Sequence, residues 1–218
     1  MLPVKEMQYH PVAEQLVQLL CTRTQIKDPL FFRVLVAYYF GVVAAQMRCS
    51  VATLDRGDIP VNVYALNLAP SGVGKGHSTN IIEEEVIAQF RERFIEETFP
   101  LMAERNLPLL ANKRAIRSQS DPDEELERVK KEFSSLGSAL FSFDSGTTPA
   151  VKQMRHKLLM ANAGSVNLEI DEIGLNLVGN TEVLTTFLEL YDKGKVKSKL
   201  IKSTSDNSRI EEIRGATP

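Results

Sequence analysis

The chain has 218 residues, 43% hydrophobic and 25% charged, which is the composition of an ordinary globular protein. Its formal net charge of -2 gives no global footprint of nucleic-acid binding and leaves room only for a local basic patch. The two cysteines, Cys21 and Cys49, have no close spacing, which excludes a disulfide scaffold and a cysteine zinc site and is typical of a reducing compartment.

Two helices are predicted at the start of the chain. Apolar residues at helical spacing predict the first over residues 11–22. Asp28-Pro29 is a strong helix start, because Asp caps free N–H groups and Pro suits the first helical position, and the second helix is predicted from Leu30 to about Met47. Its longest apolar run, 34–45, is too short to span a bilayer, and the N-terminus lacks the apolar region of a signal peptide. We therefore expect no membrane partner and a cytoplasmic location.

The pattern changes after residues 50–60, which are interpreted as a turn-rich link. From Val61 onward, apolar runs typical of strands alternate with helical patterns. The predicted strands cover 61–68, 139–144, 166–172, 195–202 and 209–213. Such alternation predicts an α/β fold with a mostly parallel sheet flanked by helices. We assign 1–57 to an N-terminal helical unit and 58–218 to the α/β core, with 100–137 as a charged helical insertion.

A glycine-rich segment, Ala69–Ser78, follows the first predicted strand and precedes a helical pattern that begins near Thr79. Glycines let successive backbone N–H groups point at an anion, and the following helix N-terminus adds partial positive charge. The strand–loop–helix order therefore predicts a phosphate-binding loop. Its predicted cradle consists of Ser71, Gly72, Val73, Gly74, Lys75, Gly76 and His77. Lys75 is expected to reach the β- and γ-phosphates of a bound nucleotide.

Two acidic residues, Asp171 and Glu172, end the strand predicted over 166–172. Ligands of parallel sheets sit at the carboxyl ends of strands, so we expect these acids to share one crevice with the glycine-rich segment. Asp171 is predicted to hold Mg²⁺ and Glu172 to polarise the attacking water. The alternative interpretation is an ordinary strand end with acidic residues.

The glycine-rich segment departs from the usual G-x-x-x-x-G-K-[ST] pattern at two positions. Ala69 stands at the first position, and Gly76 stands where a hydroxyl normally binds Mg²⁺. Water, Ser78 or a hydroxyl from another segment would have to replace it, and Ser78 is our candidate metal ligand.

A basic stretch near the C-terminus places Lys195, Lys197 and Lys199 on one face of a predicted strand. These lysines are candidate contacts to a DNA backbone. An edge strand protected by lysines against aggregation is an equally good interpretation.

Together these motifs resemble virus- and phage-encoded P-loop ATPases of the RecA-like class, including the helicase parts of primase–helicase proteins. The predicted strands 195–202 and 209–213 form a basic hairpin. The resemblance rests on this hairpin, the P-S-G-x-G-K segment, Ser145-Gly146-Thr147-Thr148-Pro149, and the strand ending Asp171-Glu172-Ile173-Gly174. It covers most of residues 10–215. It implies an ATPase motor that uses ATP and Mg²⁺, acts as a homo-oligomer on DNA and, if phage-encoded, works in the host cytoplasm.

By position, the resemblance makes Lys75 the phosphate-binding lysine, Asp171 the magnesium acid and Glu172 the catalytic glutamate, with 145–148 as a polar loop near the nucleotide. In this family a further strand follows the basic hairpin. The chain ends at Pro218, where that strand would begin, so we expect the core to be truncated there. A fragment of this kind can bind nucleotide and hydrolyse it slowly.

Two other functions stay open at this point. A nucleotide-binding assembly or regulatory module with little turnover is favoured by the missing hydroxyl at Gly76. A small-molecule kinase is disfavoured by Glu172, because in kinases the nucleophile is the acceptor's hydroxyl and a water-activating glutamate is rarely needed.

Overall fold

The computed structural model describes residues 7–24, 26–68, 74–134, 141–142, 150–151, 154–155, 158, 161–170, 185, 188, 196–200 and 210–213. Its helices are α1 (Pro11–Arg23), α2 (Pro29–Gln46), α3 (Lys75–Ile81), α4 (Ala88–Arg93), α5 (Phe99–Ser118) and α6 (Pro122–Ser134). Its strands are β1 (Ser50–Thr53), β2 (Gly57–Pro60), β3 (Val196–Leu200) and β4 (Ile210–Ile213). Two π-helical turns, Ile82–Val86 and Phe94–Thr98, interrupt the helical path that starts at Lys75.

The predicted α/β fold with a mostly parallel sheet is wrong. The described residues are mostly helical, and their strands form two antiparallel pairs, β1 with β2 and β3 with β4. Residues 61–68 belong to no strand, and neither do Phe141 and Ser142. Leu168 forms an isolated bridge and its described neighbours form no strand. The expectation that the core is truncated at Pro218 assumed this parallel sheet, so it no longer applies.

Side chains explain part of this difference. An alternating apolar run shows that a segment suits a half-buried surface, but it does not supply a neighbouring strand. The Phe141 carbonyl accepts hydrogen bonds from the side-chain amides of Gln46 and Asn167, at 3.0 and 2.8 Å. The Ser165 N–H donates to Gln46 Oε1 at 3.1 Å. The Phe141 carbonyl, which the predicted strand over 139–144 would pair with a neighbouring strand, is therefore paired here with amide side chains.

The first two predicted helices are confirmed as α1 and α2. Asp28 Oδ1 accepts a hydrogen bond from the Leu30 N–H at 2.9 Å, which is the N-cap contact expected from Asp28-Pro29. One side of α2 is buried, while Leu30 and Phe40 are exposed. Among the described residues, α2 is the one helix long and apolar enough to cross a membrane, a test that core helices of soluble proteins also pass.

The predicted link at 50–60 is a β-hairpin. Strand β1 pairs with β2 in a register that sets Ser50 opposite Pro60 and Thr53 opposite Gly57. The Thr53 hydroxyl donates to the Gly57 carbonyl and accepts from the Arg56 N–H, which closes the turn. The turn residues 55–58 were visible in the sequence, but the flanking residues are too few and too exposed to show a strand pattern.

The helical path after the glycine-rich segment is longer than predicted. It begins at Lys75 instead of near Thr79. The sequence predicts that this helix ends near Phe99-Pro100, but the helical path continues to Ser118. Pro100 is the second residue of α5, directly after the π-helical turn Phe94–Thr98, so its missing N–H falls at the junction of the two helical segments.

The described residues of the charged region 100–137 form most of α5 and all of α6, joined by a short turn at 119–121. Asp121-Pro122 predicts a helix start for the same reason as Asp28-Pro29. Helix α6 begins there, and Asp121 Oδ1 accepts hydrogen bonds from the N–H groups of Asp123 and Glu124. Helices α5 and α6 pack together, and the rings of Phe99 and Phe133 stack with centroids 4.8 Å apart. The predicted C-terminal hairpin is also confirmed, as β3 and β4.

The chain divides into two compact units, the first formed by 1–41 and 63–90 and the second by 42–62 and 91–218. The buried core of the first contains Val17, Leu20, Phe32, Leu35, Tyr39, Ile81 and Ile82. The buried core of the second contains Phe94, Phe99, Leu107, Ala111, Val129, Phe141, Leu158 and Val166. The division at residues 57 and 58 stays a prediction about domains.

Candidate functional site

The described part of the glycine-rich segment begins at Gly74, since Ser71, Gly72 and Val73 lie outside the described residues. Gly74 adopts a left-handed conformation, with φ 85° and ψ 32°, and is the N-cap of α3. A left-handed residue is strained for every side chain that carries a Cβ, so glycine fits this position. Lys75 is the first residue of α3, and no side chain caps that end of the helix.

Gly76 and His77 are both exposed in the first turn of α3. A Cβ built at Gly76 would meet no atom within 4 Å. The hydroxyl that the usual motif carries here is therefore absent for reasons other than a lack of space.

Ser78, the candidate metal ligand, is buried in the first turn of α3. Its hydroxyl donates to the Gly74 carbonyl at 3.0 Å, and its N–H donates to the same carbonyl at 3.1 Å. A hydroxyl that donates one hydrogen bond keeps its lone pairs as acceptors. The Ser78 hydroxyl therefore closes the turn at Gly74. That Ser78 also binds Mg²⁺ stays a prediction.

Both flanks of the glycine-rich segment are anchored to α1 and α2 within the first compact unit. Before the segment, Asn67 Nδ2 donates to the Phe31 carbonyl at 3.3 Å. After it, the Tyr39 hydroxyl donates to Glu83 Oε1 at 2.7 Å, and Glu85 forms an ion pair with Arg23. From the sequence alone, the acidic run at 83–85 is interpreted as a solvent-exposed helix face. Its contacts with α1 and α2 could not be predicted, because the partner residues are distant along the chain.

Asp171 and Glu172 lie outside the described residues. The argument that they share a crevice with the glycine-rich segment used the ends of parallel strands, and the described part of the chain has no parallel strands. The roles of both acids stay predictions that rest on the sequence.

The segment that leads to Asp171 is described up to Ile170, and buried polar residues hold it. Gln46, Ser165 and Asn167 are all nearly inaccessible to solvent. Burial lowers the pKa of the Arg48 guanidinium in the same region. Burial and the nearby Arg48 charge lower the pKa of Arg155 to about 10. Sequence reasoning missed these residues because single polar residues beside apolar runs give no signal of a shared network.

The candidate DNA contacts are described only in part. Lys195 lies outside the described residues, while Lys197 and Lys199 belong to β3. Lys199 is opposite Glu211 in β4, and the register shifts between Val196 and Lys199. The shared lysine face stays a prediction.

The described residues contain no group of three or more His, Cys, Asp or Glu residues that could hold an ion. The predicted magnesium acid, Asp171, is outside that part of the chain.

No family model, no curated protein and no solved structure matches this chain.

Proposed function

We propose that this chain binds ATP through Ser71, Gly72, Val73, Gly74, Lys75, Gly76 and His77, and that it is the ATP-hydrolysing motor domain of a phage-type DNA helicase or primase–helicase. One observation carries the proposal: a lysine that begins a helix directly after a left-handed glycine, within a glycine-rich segment. The ATP-binding part of the proposal uses only this local geometry and is independent of a parallel sheet, whereas the roles of Asp171 and Glu172 rest on the sequence alone.

Local chemistry supports an anion at this place. The first N–H groups of a helix have no partner within the helix, and here no side chain caps them. These groups carry partial positive charge, and the Lys75 ammonium adds a full charge beside them. Phosphate oxygens are suitable acceptors for both.

The acidic pair supplies the remaining roles in the proposal. Carboxylate and hydroxyl oxygens are the donors that Mg²⁺ prefers, so the chemistry of Asp171 and Ser78 fits this ion. A bound Mg²⁺ would offset phosphate charge. Glu172 accepts a proton from the water that attacks the γ-phosphorus, and Lys75 holds the phosphate oxygens during attack.

We include two partners in this proposal. The chain acts as a homo-oligomer, and Lys195, Lys197 and Lys199 contact the phosphates of DNA. Phosphate contacts of this kind weaken as salt concentration rises, so DNA binding should be strongly salt-dependent.

A second candidate function is a nucleotide-binding assembly or regulatory module with little turnover. Two features favour it: Gly76 lacks the usual hydroxyl, and the Ser78 hydroxyl already bonds the Gly74 carbonyl. Such a protein would hold the nucleotide without assembling an efficient metal site.

Mg²⁺-dependent ATP hydrolysis, measured with and without single-stranded DNA, separates the two candidates. The wild type is compared with Glu172→Gln, and Glu92→Gln, an exposed glutamate on α4, serves as control. Turnover that DNA stimulates and that only Glu172→Gln loses supports the motor. ATP binding without turnover in every variant supports the regulatory module. A wild type that does not bind ATP contradicts both.

A further inference from the structure

Residues 63–68, called here the edge segment, present an apolar face and an open backbone edge to solvent. We infer that the edge segment pairs with the same segment of a second copy of this chain, antiparallel and centred on Leu66, to form a dimer. The inference rests on the homo-oligomer of the proposed function, for which that proposal names no surface, and it makes no use of the nucleotide site. All the residues that carry it belong to the first compact unit.

Two contacts with α2 show that the edge segment is extended. A Cβ built at Gly41 would lie 2.5 Å from Val63 Cγ2, so Val63 packs directly on the helix there. Further along the chain, Asn67 Nδ2 donates to the Phe31 carbonyl at 3.3 Å. Gly41 and Phe31 are about 15 Å apart along the helix axis, because each helical residue rises about 1.5 Å. A strand covers the distance from Val63 to Asn67 in about 13 Å. The edge segment therefore runs antiparallel to α2 in a strand-like conformation.

The large side chains of the edge segment alternate in exposure. Val63 and Asn67 are half-buried. Tyr64, Leu66 and Leu68 are 42%, 62% and 77% exposed. Successive side chains of a strand point to opposite faces, so these three exposed residues share the face that is turned away from α2. The outer face of the edge segment is therefore apolar.

The backbone of the edge segment is open as well. The backbone groups of Ala65, Leu66 and Leu68 make no hydrogen bond with any described residue, and the small side chain of Ala65 is exposed. An unpaired strand edge is a template for another strand, and proteins commonly protect such edges with charged side chains. Residues 59–74 contain no charged side chain. Charge therefore does not oppose strand pairing at this edge.

The order of residues in the edge segment matches it to a second copy. In an antiparallel pair centred on Leu66, this residue lies opposite itself, and Tyr64 lies opposite the partner's Leu68. Each exposed apolar side chain thus meets another one, and cross-strand pairs of aromatic and aliphatic residues stabilise sheets. A single two-fold axis generates all of these pairs, as in most homodimers. The chain itself therefore supplies every residue that the edge requires.

The exposed apolar surface around the edge segment is large enough for a dimer. Leu30, Ala37 and Gly41 recur at helical spacing on one side of α2, and Phe40 lies one turn beyond Ala37. Leu30 and Phe40 are 44% and 43% exposed. With about 200 Å² of surface on a large apolar residue, these two residues and the three of the edge segment expose about 500 Å² per copy. Two copies offer about 1,000 Å², which is the lower limit for a specific interface. We therefore expect a dimer that dissociates at micromolar concentration.

Sedimentation velocity of the full chain, from about 1 to 200 μM, measures the dimer Kd. Leu66→Lys tests the interface, because it sets two positive charges opposite each other at the two-fold axis. Leu109→Lys is the matched control, since Leu109 is also 62% exposed and lies on α5 in the second compact unit. We expect a micromolar Kd for the wild type and for Leu109→Lys, and a Kd at least about 10-fold higher for Leu66→Lys.

Disulfide crosslinking tests the register without the lysine variant. Cys21→Ser and Cys49→Ser first remove the two native thiols. In that background, Leu66→Cys sets the new thiol opposite itself, whereas Ala65→Cys sets it opposite the partner's Asn67. Mild oxidation should therefore crosslink Leu66→Cys far more than Ala65→Cys, because a disulfide needs Cβ atoms about 4 Å apart. Equal crosslinking of the two variants would overturn the inference.

The remaining outcomes separate the inference from the proposed function. A wild type that stays monomeric over the whole range overturns the inference and the homo-oligomer of the proposal. A dimer that Leu66→Lys does not weaken overturns the inference alone. A monomer that instead sediments with phosphatidylcholine vesicles assigns the apolar surface to lipid and overturns the inference too. ATP affinity is titrated on the same wild-type samples, and a dimer that fails to bind ATP contradicts the nucleotide site while it supports the inference.

Discussion

Two glycines with left-handed backbone angles, Gly57 and Gly164, show how single residues constrain this fold. Gly164 has φ 73°, and a Cβ there would lie 3.0 Å from Leu158 Cδ2, 3.2 Å from Gln46 Oε1 and 3.5 Å from Phe99 Cε2. Gly57 has the same φ, but a Cβ there would meet nothing within 4 Å. A side chain added at Gly57 would therefore suffer backbone strain alone, whereas one added at Gly164 would suffer both strain and steric crowding.

We predict that Gly164→Ala lowers the free energy of unfolding by about 2–4 kcal/mol, because it adds left-handed strain to overpacking. Gly57→Ala should cost about 1–2 kcal/mol, since it adds strain alone. Denaturant unfolding of both variants measures the difference. Equal losses would mean that the space around Gly164 is not as close-packed as described.

Gly76 offers a prediction about the nucleotide site itself. The space beside it is open, so Gly76→Ser can restore the hydroxyl of the usual motif without a clash. If ATP binds here with Mg²⁺, the extra oxygen ligand should tighten Mg²⁺-ATP binding by about 10-fold. Gly76→Ala fills the same space without a hydroxyl and is the control in the same titration. Equal affinities for the two variants would contradict a metal at this position.

The residue scale is also where the sequence was most informative. Asp28-Pro29 and Asp121-Pro122 predicted helix starts that the structure confirms, because an N-cap bond joins residues that are neighbours along the chain. Gln46 and Arg48 could not be found in this way. Their partners lie near 141 and 158–165, and no pattern along the sequence links positions so far apart.

At the scale of elements, α1 and α2 are joined by a paired charge. Arg33 donates to both carboxylate oxygens of Glu14, each at 2.8 Å, and its guanidinium lies 4.2 Å from the centre of the Tyr9 ring. The hydrogen bond from Arg33 lowers the pKa of Glu14 below its usual range. The folded state therefore favours the ionised carboxylate.

This pair predicts a specific pH dependence. Because its pKa is lower in the folded state, Glu14 contributes stability above its ordinary pKa of about 4.3, and that contribution is lost as the pH falls through the lowered value. Glu14→Gln should be less stable than wild type at pH 7, and the difference should shrink toward pH 3. Urea unfolding across this range measures the difference, with Glu104→Gln, a substitution of an exposed residue of α5, as the control. A difference that does not change with pH would contradict the ion pair.

Elements also show why helices were easier to predict than strands. Helix hydrogen bonds run within one segment, so α1, α2 and α6 could be predicted from local spacing and caps. A strand needs a partner, and the sequence of 61–68 or 166–170 does not say whether one exists. The C-terminal hairpin was predictable because β3 and β4 are close together along the chain.

For the whole molecule, the predicted parallel sheet came from combining individual apolar runs into one architecture. The described chain instead forms two mostly helical compact units, in which amide side chains take up backbone groups of apolar segments. Of the candidate site, the helix after the glycine-rich segment was predicted, although its start at Lys75 was not. The placement of Asp171 and Glu172 depended on the sheet, so it could not survive the change of fold.

The central claim is that the glycine-rich segment binds a nucleoside triphosphate through Lys75. A titration of the full chain with a fluorescent ATP analogue, followed by competition with unlabelled ATP, tests it most directly. Lys75→Ala is compared with Lys113→Ala, an exposed lysine on α5. We predict saturable binding by wild type and Lys113→Ala, with Lys75→Ala weakened at least about 10-fold, because a charge-assisted bond to phosphate is worth about 1.5–3 kcal/mol. Unchanged affinity in Lys75→Ala, or no binding by the wild type, would contradict the claim.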